Sequence, residues 1–568
     1  MAVQESPFPN CFLLGLHSFS WALIFPCYWF LDRFLASLIE TTVERTQRQR
    51  QQCSFYPLKV FCSGIFFLML LALSLPIALI GFIFWVPLQA LRRPFDYQQN
   101  PSHGMKKEWL MQEQSKMFSL ISANLCFLPD GLARFSNLSH TQRRSVVVAK
   151  NIIQEVTRNS RSLYRDMPNH QNPQSPMYGA TSFSSPETFQ LEMDANSLQQ
   201  MKAINLPRRS GQCEEEAVSG DPSSVAIDTS EIQPESHHTQ ENGVVLSLPD
   251  ASSPSEIPQR PGDVPCNICS FFPLDVDFVC LQEVFDKRAA AKLRSILSPC
   301  FEHILYNVGV YGLLGCSDFK FFNSGLFLAS RYPVLAAQFR HYPNGCGEDA
   351  LAAKGLLCVK VQLGEIQGRQ LIGYLNCTHL HAPEADGHIR CAQLDFLLQW
   401  IAEFQEVNSQ SSEIIAFDVL CGDLNFDNCS PADHLEQGHR IFDVYKDPCR
   451  EGPRKEKNWP IGTLLRPGIL YDDAIVTPEN MKRTLEMEEE RRQYIAAPVN
   501  PDGSAGYPET APIGSGRRID YILYREDTVS RTLVTEIMEF MFISQLAGLT
   551  DHIPVGMQLS VSSPAGWD

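Results

Sequence analysis

The chain has no excess of basic residues. Its 568 residues carry 47 Lys and Arg against 64 Asp and Glu, a formal charge of −17 and a pI near 5.3. Contact with a phosphate backbone draws its affinity from Lys and Arg, so a nucleic-acid binder is not expected. Paired C-x-x-C motifs are missing despite 18 cysteines, and neither a zinc ribbon nor a thioredoxin-like redox site is suggested. Several thiols, among them Cys280, Cys358, Cys377 and Cys421, sit inside apolar runs and read as small buried side chains. The start is acidic at Glu5 and lacks a small-x-small cleavage site, so neither a cleavable signal peptide nor a transit peptide is expected. From Val60 to Val86 charge is absent altogether.

At ~1.5 Å per residue that run is long enough to cross a ~30 Å hydrocarbon core. A weaker apolar stretch, Phe12 to Leu31, precedes it, interrupted by His17, Ser18, Ser20 and Pro26 and closed by Asp32 and Arg33. Residues 1–107 therefore read as a membrane-anchoring region. Arg45, Arg48, Arg50 and Lys59 flank the stronger segment on one side, and Arg92, Arg93, Lys106 and Lys107 on the other, so the positive-inside rule gives no orientation. Two geometries stay open. The segments span, or Pro76 and Gly81 break the second into a re-entrant hairpin that leaves both flanks on the cytosolic side as contacts for anionic phospholipid. Cys53 and Cys62, beside the second segment, are candidate S-acylation sites.

A strand-like run from Met117 to Cys126 opens a globular domain over residues 117–158. Ser, Pro, Gln, Glu and Asn dominate residues 159–265 without hydrophobic periodicity, and a disordered insertion is expected there. The domain resumes over 266–560. Strands are expected at Asp277–Phe285, Asn323–Ser330, Leu356–Val361, Leu371–His379, Ile414–Cys421, Arg518–Tyr524 and Glu536–Ser544. Helices are expected from Ala289 to Leu297 and from Asp386 to Phe404, the latter with Ile389, Leu394, Leu397, Leu398 and Ile401 on one face. Short strands, few helices and long loops predict an α+β domain of packed sheets.

Chemistry concentrates where apolar strands end in polar residues. In Gly422-Asp423-Leu424-Asn425 the acid and the amide are two residues apart and point the same way on extended chain. Asp423 would supply charge, and Asn425 a neutral donor for a phosphoryl oxygen; an Asx turn is the plainer reading. Together with Asn124, Leu281-Gln282-Glu283, Thr378-His379-Leu380 and Asp551-His552, this motif resembles, in order, the signature of the endonuclease/exonuclease/phosphatase superfamily. That resemblance implies the DNase-I-like four-layer α/β sandwich. Thr378-His379-Leu380-His381-Ala382-Pro383, the run from Leu281 to Arg288 and the paired hydrophobic segments are similar to the membrane-anchored neutral sphingomyelinases of vertebrates.

The resemblance implies a phospholipase-C-type phosphodiesterase that hydrolyses sphingomyelin to ceramide and phosphocholine, with Mg²⁺ as cofactor, Mn²⁺ as its substitute and anionic phospholipids as activators. It implies Glu283 and Asn124 at the metal and His552 as general base with Asp423 beside it. Asn425 would contact the phosphoryl oxygen, and Asp551 would assist the metal or the base. His379 would bind phosphate or help protonate the ceramide oxygen. Golgi and plasma membrane are the compartments it favours, with mitochondrial and ER membranes still open.

Asp349 and Lys354 flank Ala350-Leu351-Ala352-Ala353 as candidate phosphate or switch residues, or as a solvated turn pair. His381 and His388 read as supporting or surface residues. The sequons at Asn376 and Asn428 adjoin the candidate catalytic residues, which fits a cytosol-facing domain. Two other functions stay open: an inositol-lipid phosphatase on the same fold, and a non-catalytic scaffold binding anionic lipid. Nothing in the sequence sets an oligomeric state.

Overall fold

The computed structural model describes residues 6–51, 55–100, 115–165, 264–314, 318–507 and 516–563. Cys53, Lys106, Lys107 and nearly all of the expected insertion lie outside them. The helix Thr141–Arg165 runs seven residues past the expected start of that insertion.

Two sheets face each other. The larger has eight strands, in the spatial order Asp96–Gln99, His303–Tyr306, Phe327–Ser330, Phe278–Gln282, Ser115–Asn124, Val555–Ser562, Val534–Ile543 and Cys266–Cys269. The smaller has five, in the order Asp520–Tyr524, Ile414–Asp423, Arg369–His379, Gly355–Ile366 and Val334–His341. Alternate residues of the facing strands fill the space between them: Phe118, Leu120, Phe278 and Cys280 from one sheet, Val359, Leu375, Phe417 and Val419 from the other. The Phe417 ring stands edge-on to Phe118 at 5.5 Å and to Phe278 at 5.8 Å.

Helices cover both outer faces. Val148, Ala149 and Ile152 of Thr141–Arg165 and Ala289, Ala290 and Leu293 of Lys287–Leu297 bury against the larger sheet. Leu394, Leu397, Ile401 and Phe404 of Gly387–Asn408 bury against the smaller, close to the apolar face expected from spacing. The result is the four-layer α/β sandwich.

The N-terminal region is a pair of antiparallel helices, Cys11–Leu38 and Tyr56–Gln89, each long and apolar enough to cross a membrane. At ~1.5 Å per residue the second, of 34 residues, measures about 51 Å. It continues through Pro76 and Gly81, so neither residue breaks it. Gly81 instead permits close approach, because a Cβ there would stand 2.8 Å from the Ser20 carbonyl oxygen. Leu73, Leu79 and Ile83 remain exposed on the outside of the pair.

The first helix does not end at Asp32 and Arg33 as expected, because those residues dock it on the sandwich. Asp32 accepts from the Gly131 N–H at 2.7 Å, and Arg33 bridges Asp32 and Asp130 at 2.8 and 2.9 Å. Cys266 and Cys269 do form one C-x-x-C, on an extended edge strand. Burial raises both thiols, Cys269 to about 11, which leaves them inert as redox groups.

Candidate active site

Sheet register builds most of the site. In the smaller sheet Asp423 is the direct cross-strand partner of His379 on one side and of Asp520 on the other. Residues directly opposite share a face, so the three side chains form a row across the strands. Gly422 makes this pairing possible. Its φ is +147°, and a Cβ there would lie 1.9 Å from the Thr378 carbonyl oxygen.

The larger sheet supplies the opposing wall. Asn124 ends its strand, and Glu283 follows Gln282 with φ +58°, a left-handed kink that turns its carboxylate toward the row. The Asn124 amide nitrogen donates to Glu283 Oε1 at 3.0 Å and to Asp423 Oδ2 at 2.9 Å, clamping the two sheets together. Its oxygen accepts from the Cys126 N–H at 3.1 Å. In this arrangement the Asn124 amide nitrogen orients the two carboxylates while its oxygen is engaged by the Cys126 N–H.

His379 is 1% exposed, and neither ring nitrogen has a hydrogen-bond partner. Its Nε2 lies 3.6 Å from Asp423 Oδ2 and 4.0 Å from Glu283 Oε1. Burial and the Lys354 ammonium push His379 well below its ordinary value, which favours the neutral ring. A neutral ring can donate a hydrogen bond to a phosphoryl oxygen. Protonating a leaving oxygen requires an imidazolium that this environment disfavours.

His552 stands opposite. Its Nδ1 lies 2.8 Å from Asp520 Oδ2, and its Nε2 faces Asp423 Oδ2 at 4.0 Å. Burial opposes its charging, but Asp520, Asp423 and Asp551 outweigh that penalty and hold it well above its ordinary value. Thr550 ties the loop down by donating to the Asn124 carbonyl at 2.8 Å.

Asp423 does form the Asx turn, its Oδ1 accepting from the Asn425 N–H at 2.9 Å, while Oδ2 faces the site. The turn and the functional reading describe one residue. Asn425, at φ +55°, donates its amide to the Leu380 carbonyl at 3.0 Å. Burial first, then repulsion from Asp551, raise Glu283 to about 7. Burial and Asp520 also raise Asp423.

Two family models match the chain. Residues 12–91 match the neutral sphingomyelinase N-terminal transmembrane region, and residues 259–552 the endonuclease/exonuclease/phosphatase family. The chain is 49% identical to sphingomyelin phosphodiesterase 5 of Danio rerio, over 99% of both chains. It is 41% identical to sphingomyelin phosphodiesterase 3 of Mus musculus and 40% identical to that of Homo sapiens, again over 99% of each chain. The chain belongs to the neutral sphingomyelinases. It is therefore a phosphodiesterase of the endonuclease/exonuclease/phosphatase family, associated with a membrane through its N-terminal region.

Within this neutral sphingomyelinase fold the other expected residues separate. Asp349 and Lys354 are no solvated pair: both side chains are largely buried, 2.9 Å apart, and Lys354 also donates to the Leu380 carbonyl at 3.0 Å. Lys354 thus holds the strand end that carries His379. Arg92, expected at the lipid surface, has a side chain 3% exposed and is spent on the Asn307 and Gly309 carbonyls and Asp96. Arg48 pairs with Glu40 at 2.9 Å and stacks on Tyr56. Arg93 donates to the Ser6 carbonyl, and Arg45, Arg50, Lys59 and Cys62 are exposed. Both sequon asparagines are buried, so the fold itself hides them and they carry no vote on sidedness.

Asp520 is a residue of this site that sequence reading missed. It begins its strand, and attention to polar residues at strand ends passes over it. On an antiparallel neighbour a strand's beginning lies beside its partner's end, so Asp520-Tyr521-Ile522-Leu523 did hold the signal.

Proposed function

We propose that this phosphodiesterase hydrolyses sphingomyelin to ceramide and phosphocholine at a membrane surface, with His552 as general base and Mg²⁺ held at Glu283. One observation carries the mechanism. A Glu283–Asp423–His379 cluster and an Asp520–His552 dyad share Asp423 at one locus between the sheets. The substrate reading is supported by full-length relatives named sphingomyelin phosphodiesterases.

The donor set fits a hard dication. Glu283 and Asp423 are joined through the Asn124 amide, and burial first, then a neighbouring carboxylate, Asp551 for Glu283 and Asp520 for Asp423, disfavours their negative charge, so a dication between them would be stabilising. When bound there, Mg²⁺, or Mn²⁺ in its place, would supply positive charge to the phosphodiester and to the departing oxygen.

The chain's own residues do the rest. His552 Nε2 takes a proton from water as the water oxygen attacks phosphorus, and the bond from phosphorus to the ceramide oxygen breaks, the departing oxygen taking a proton from solvent water while the His552 imidazolium returns its own to solvent. Asp520 fixes the ring through Nδ1 and balances the imidazolium that forms. His379, neutral and unpartnered, donates to a phosphoryl oxygen. Asn425 and Lys354 hold the Leu380 carbonyl, and with it the His379 loop, from two sides. A base must be neutral to act, and the surrounding carboxylates favour imidazolium. Proton uptake at His552 is therefore tied to charge balance at Glu283 and Asp423.

The exposed basic residues Arg45, Arg50 and Lys59 at the ends of the helical pair suit anionic phospholipid as an activator, with the sandwich facing the cytosol at a Golgi or plasma membrane. The test is phosphocholine release from sphingomyelin vesicles by the detergent-solubilised chain, with and without Mg²⁺, beside Glu283→Ala and His552→Ala. Metal-dependent release lost in both variants is expected. Release from phosphoinositide vesicles in place of sphingomyelin would overturn the substrate, and release without any divalent cation would overturn the metal.

A further inference from the structure

A second cluster lies outside the catalytic locus, where the loop before Gly387–Asn408 meets the turn at Cys346. Among the described residues Cys346, His381 and Asp386 bring one ligand atom each within 4.8 Å of the others. Cys346 Sγ is 3.6 Å from His381 Nε2 and 3.6 Å from Asp386 Oδ2, and His381 Nε2 is 2.9 Å from Asp386 Oδ2.

These separations are those of three corners of a zinc tetrahedron. With Zn–S of ~2.3 Å and Zn–N and Zn–O of ~2.0 Å at tetrahedral angles, S···N and S···O come to about 3.5 Å and N···O to about 3.3 Å. The arrangement needs a shift of a few tenths of an ångström at one edge. Cys346 is exposed and the Asp386 side chain is 27% exposed, so the cluster opens to solvent on the side where a fourth ligand would stand.

Support behind the cluster is of the kind that metal-bound histidines have. His381 is fully buried, its backbone N–H donates to Gln393 Oε1 at 2.9 Å, and its Nδ1 lies 3.2 Å from Asp349 Oδ2. That carboxylate is itself fixed by Lys354 and by the Ala382 N–H at 2.6 Å. In this structure Nε2 is hydrogen-bonded to Asp386 while Nδ1 makes no hydrogen bond; a metal taking the Nε2 lone pair would move the ring proton to Nδ1, where the Asp349 carboxylate stands to receive it. One thiolate and one imidazole disfavour Mg²⁺ and Ca²⁺ and suit a borderline-soft divalent ion.

We propose that Cys346, His381 and Asp386 form a zinc-binding site, separate from the Glu283 cluster, with Asp349 orienting His381. The ligands come from the turn at 346 and from the segment that follows His379, and sequence spacing conceals them because the thiol stands 35 residues before the imidazole.

Co²⁺ titration of the detergent-solubilised full-length chain, kept in excess Mg²⁺, tests this. One equivalent of Co²⁺ should give a thiolate-to-cobalt charge-transfer band that Zn²⁺ abolishes by displacement. Cys346→Ser should lose the band while keeping native Mg²⁺-supported turnover. Asp386→Asn should weaken binding, and Asp349→Asn should weaken it about 10–100-fold, the usual effect of removing a carboxylate behind a liganding histidine. Absence of the band in the native chain would overturn the proposal. So would a band that survives in Cys346→Ser, which would put the metal on the buried Cys280, Cys377 and Cys421 trio instead.

Discussion

Asp520→Asn is the sharpest test of the dyad. Asp520 is fully buried, its Oδ2 sits 2.8 Å from His552 Nδ1, and no other carboxylate reaches that nitrogen among the described residues. An asparagine of the same shape keeps the packing but removes the charge that balances an imidazolium. It can also donate its NH₂ to Nδ1, which forces the proton onto Nε2 and blocks the atom that must accept one from water. Loss of a buried orienting carboxylate of this kind costs about 10³–10⁴ in kcat, or roughly 4–5.5 kcal/mol of transition-state stabilisation. KM should change little, because Asp520 lies behind His552 and touches no substrate. The pH profile carries a second signature. Asp520 raises His552, and a base raised above its ordinary value is neutral only at higher pH, so removing Asp520 should move the acid limb of kcat/KM to lower pH. Phosphocholine release measured across pH, with thermal melting as a fold control, reads all three quantities. Turnover within tenfold of native, or an acid limb that stays in place, would refute Asp520 as the partner of the base.

Further outcomes follow from other contacts. Gly422→Ala should fail to fold or lose several kcal/mol and all turnover, since the added Cβ meets the Thr378 carbonyl at 1.9 Å; melting temperature and expression read it. Glu413→Ala should destabilise by about 3–5 kcal/mol in denaturant titration, because it strands the buried Lys360 ammonium now 2.5 Å from Glu413, yet leave turnover per folded molecule intact. His379→Gln, which keeps a neutral donor, should retain more turnover than His379→Ala, whereas equal loss in both would argue that a charged His379 protonates the leaving oxygen. Asp32→Ala should make the chain around Gly131 more susceptible to limited proteolysis, having lost its bond to the Gly131 N–H and its pairing with Arg33.

Strand ends were legible from sequence because burial imposes an apolar run and chemistry interrupts it. Asn124, Glu283, His379, Asp423 and His552 each stand at one end of an apolar run, a contrast that is weak singly and gains force from their joint order, and the sheets bring all five to one locus. What stayed hidden depends on pairing rather than on composition. The central strand Val555–Ser562 was not expected at all. Its second half alternates buried apolar residues with half-buried polar ones, and pairing with Ser115–Asn124 on one side and Val534–Ile543 on the other makes it core. Asp520 was missed because register, not local pattern, aligns it with Asp423. Arg92 and Arg48 looked like a basic flank since sequence shows their charge but not the carbonyls and carboxylates that consume it. Asp32 and Arg33 looked like the polar end of an apolar helix, although their partners lie almost a hundred residues away.

The same long-range pairing explains why the site tolerates so much negative charge. Glu283, Asp423, Asp520 and Asp551 converge on ground where His552 and Lys354 are the nearby cations, and Lys354 is already engaged by Asp349. Separate backbone segments hold each acid, and every segment is fixed by its own sheet or loop, so repulsion cannot spread them apart. The fold thereby holds several carboxylates at one locus where positive charge would be stabilised. A cation and a phosphodiester together would suit that locus, the first by drawing on the carboxylates and the second by adding only one negative charge at the face His379 leaves unpartnered. A polyphosphorylated headgroup would bring several more charges against the same carboxylates, with no second buried ammonium beside Lys354 among the described residues to receive them. That balance, rather than the fold, is the physical reason to expect a singly charged diester as the substrate of this site.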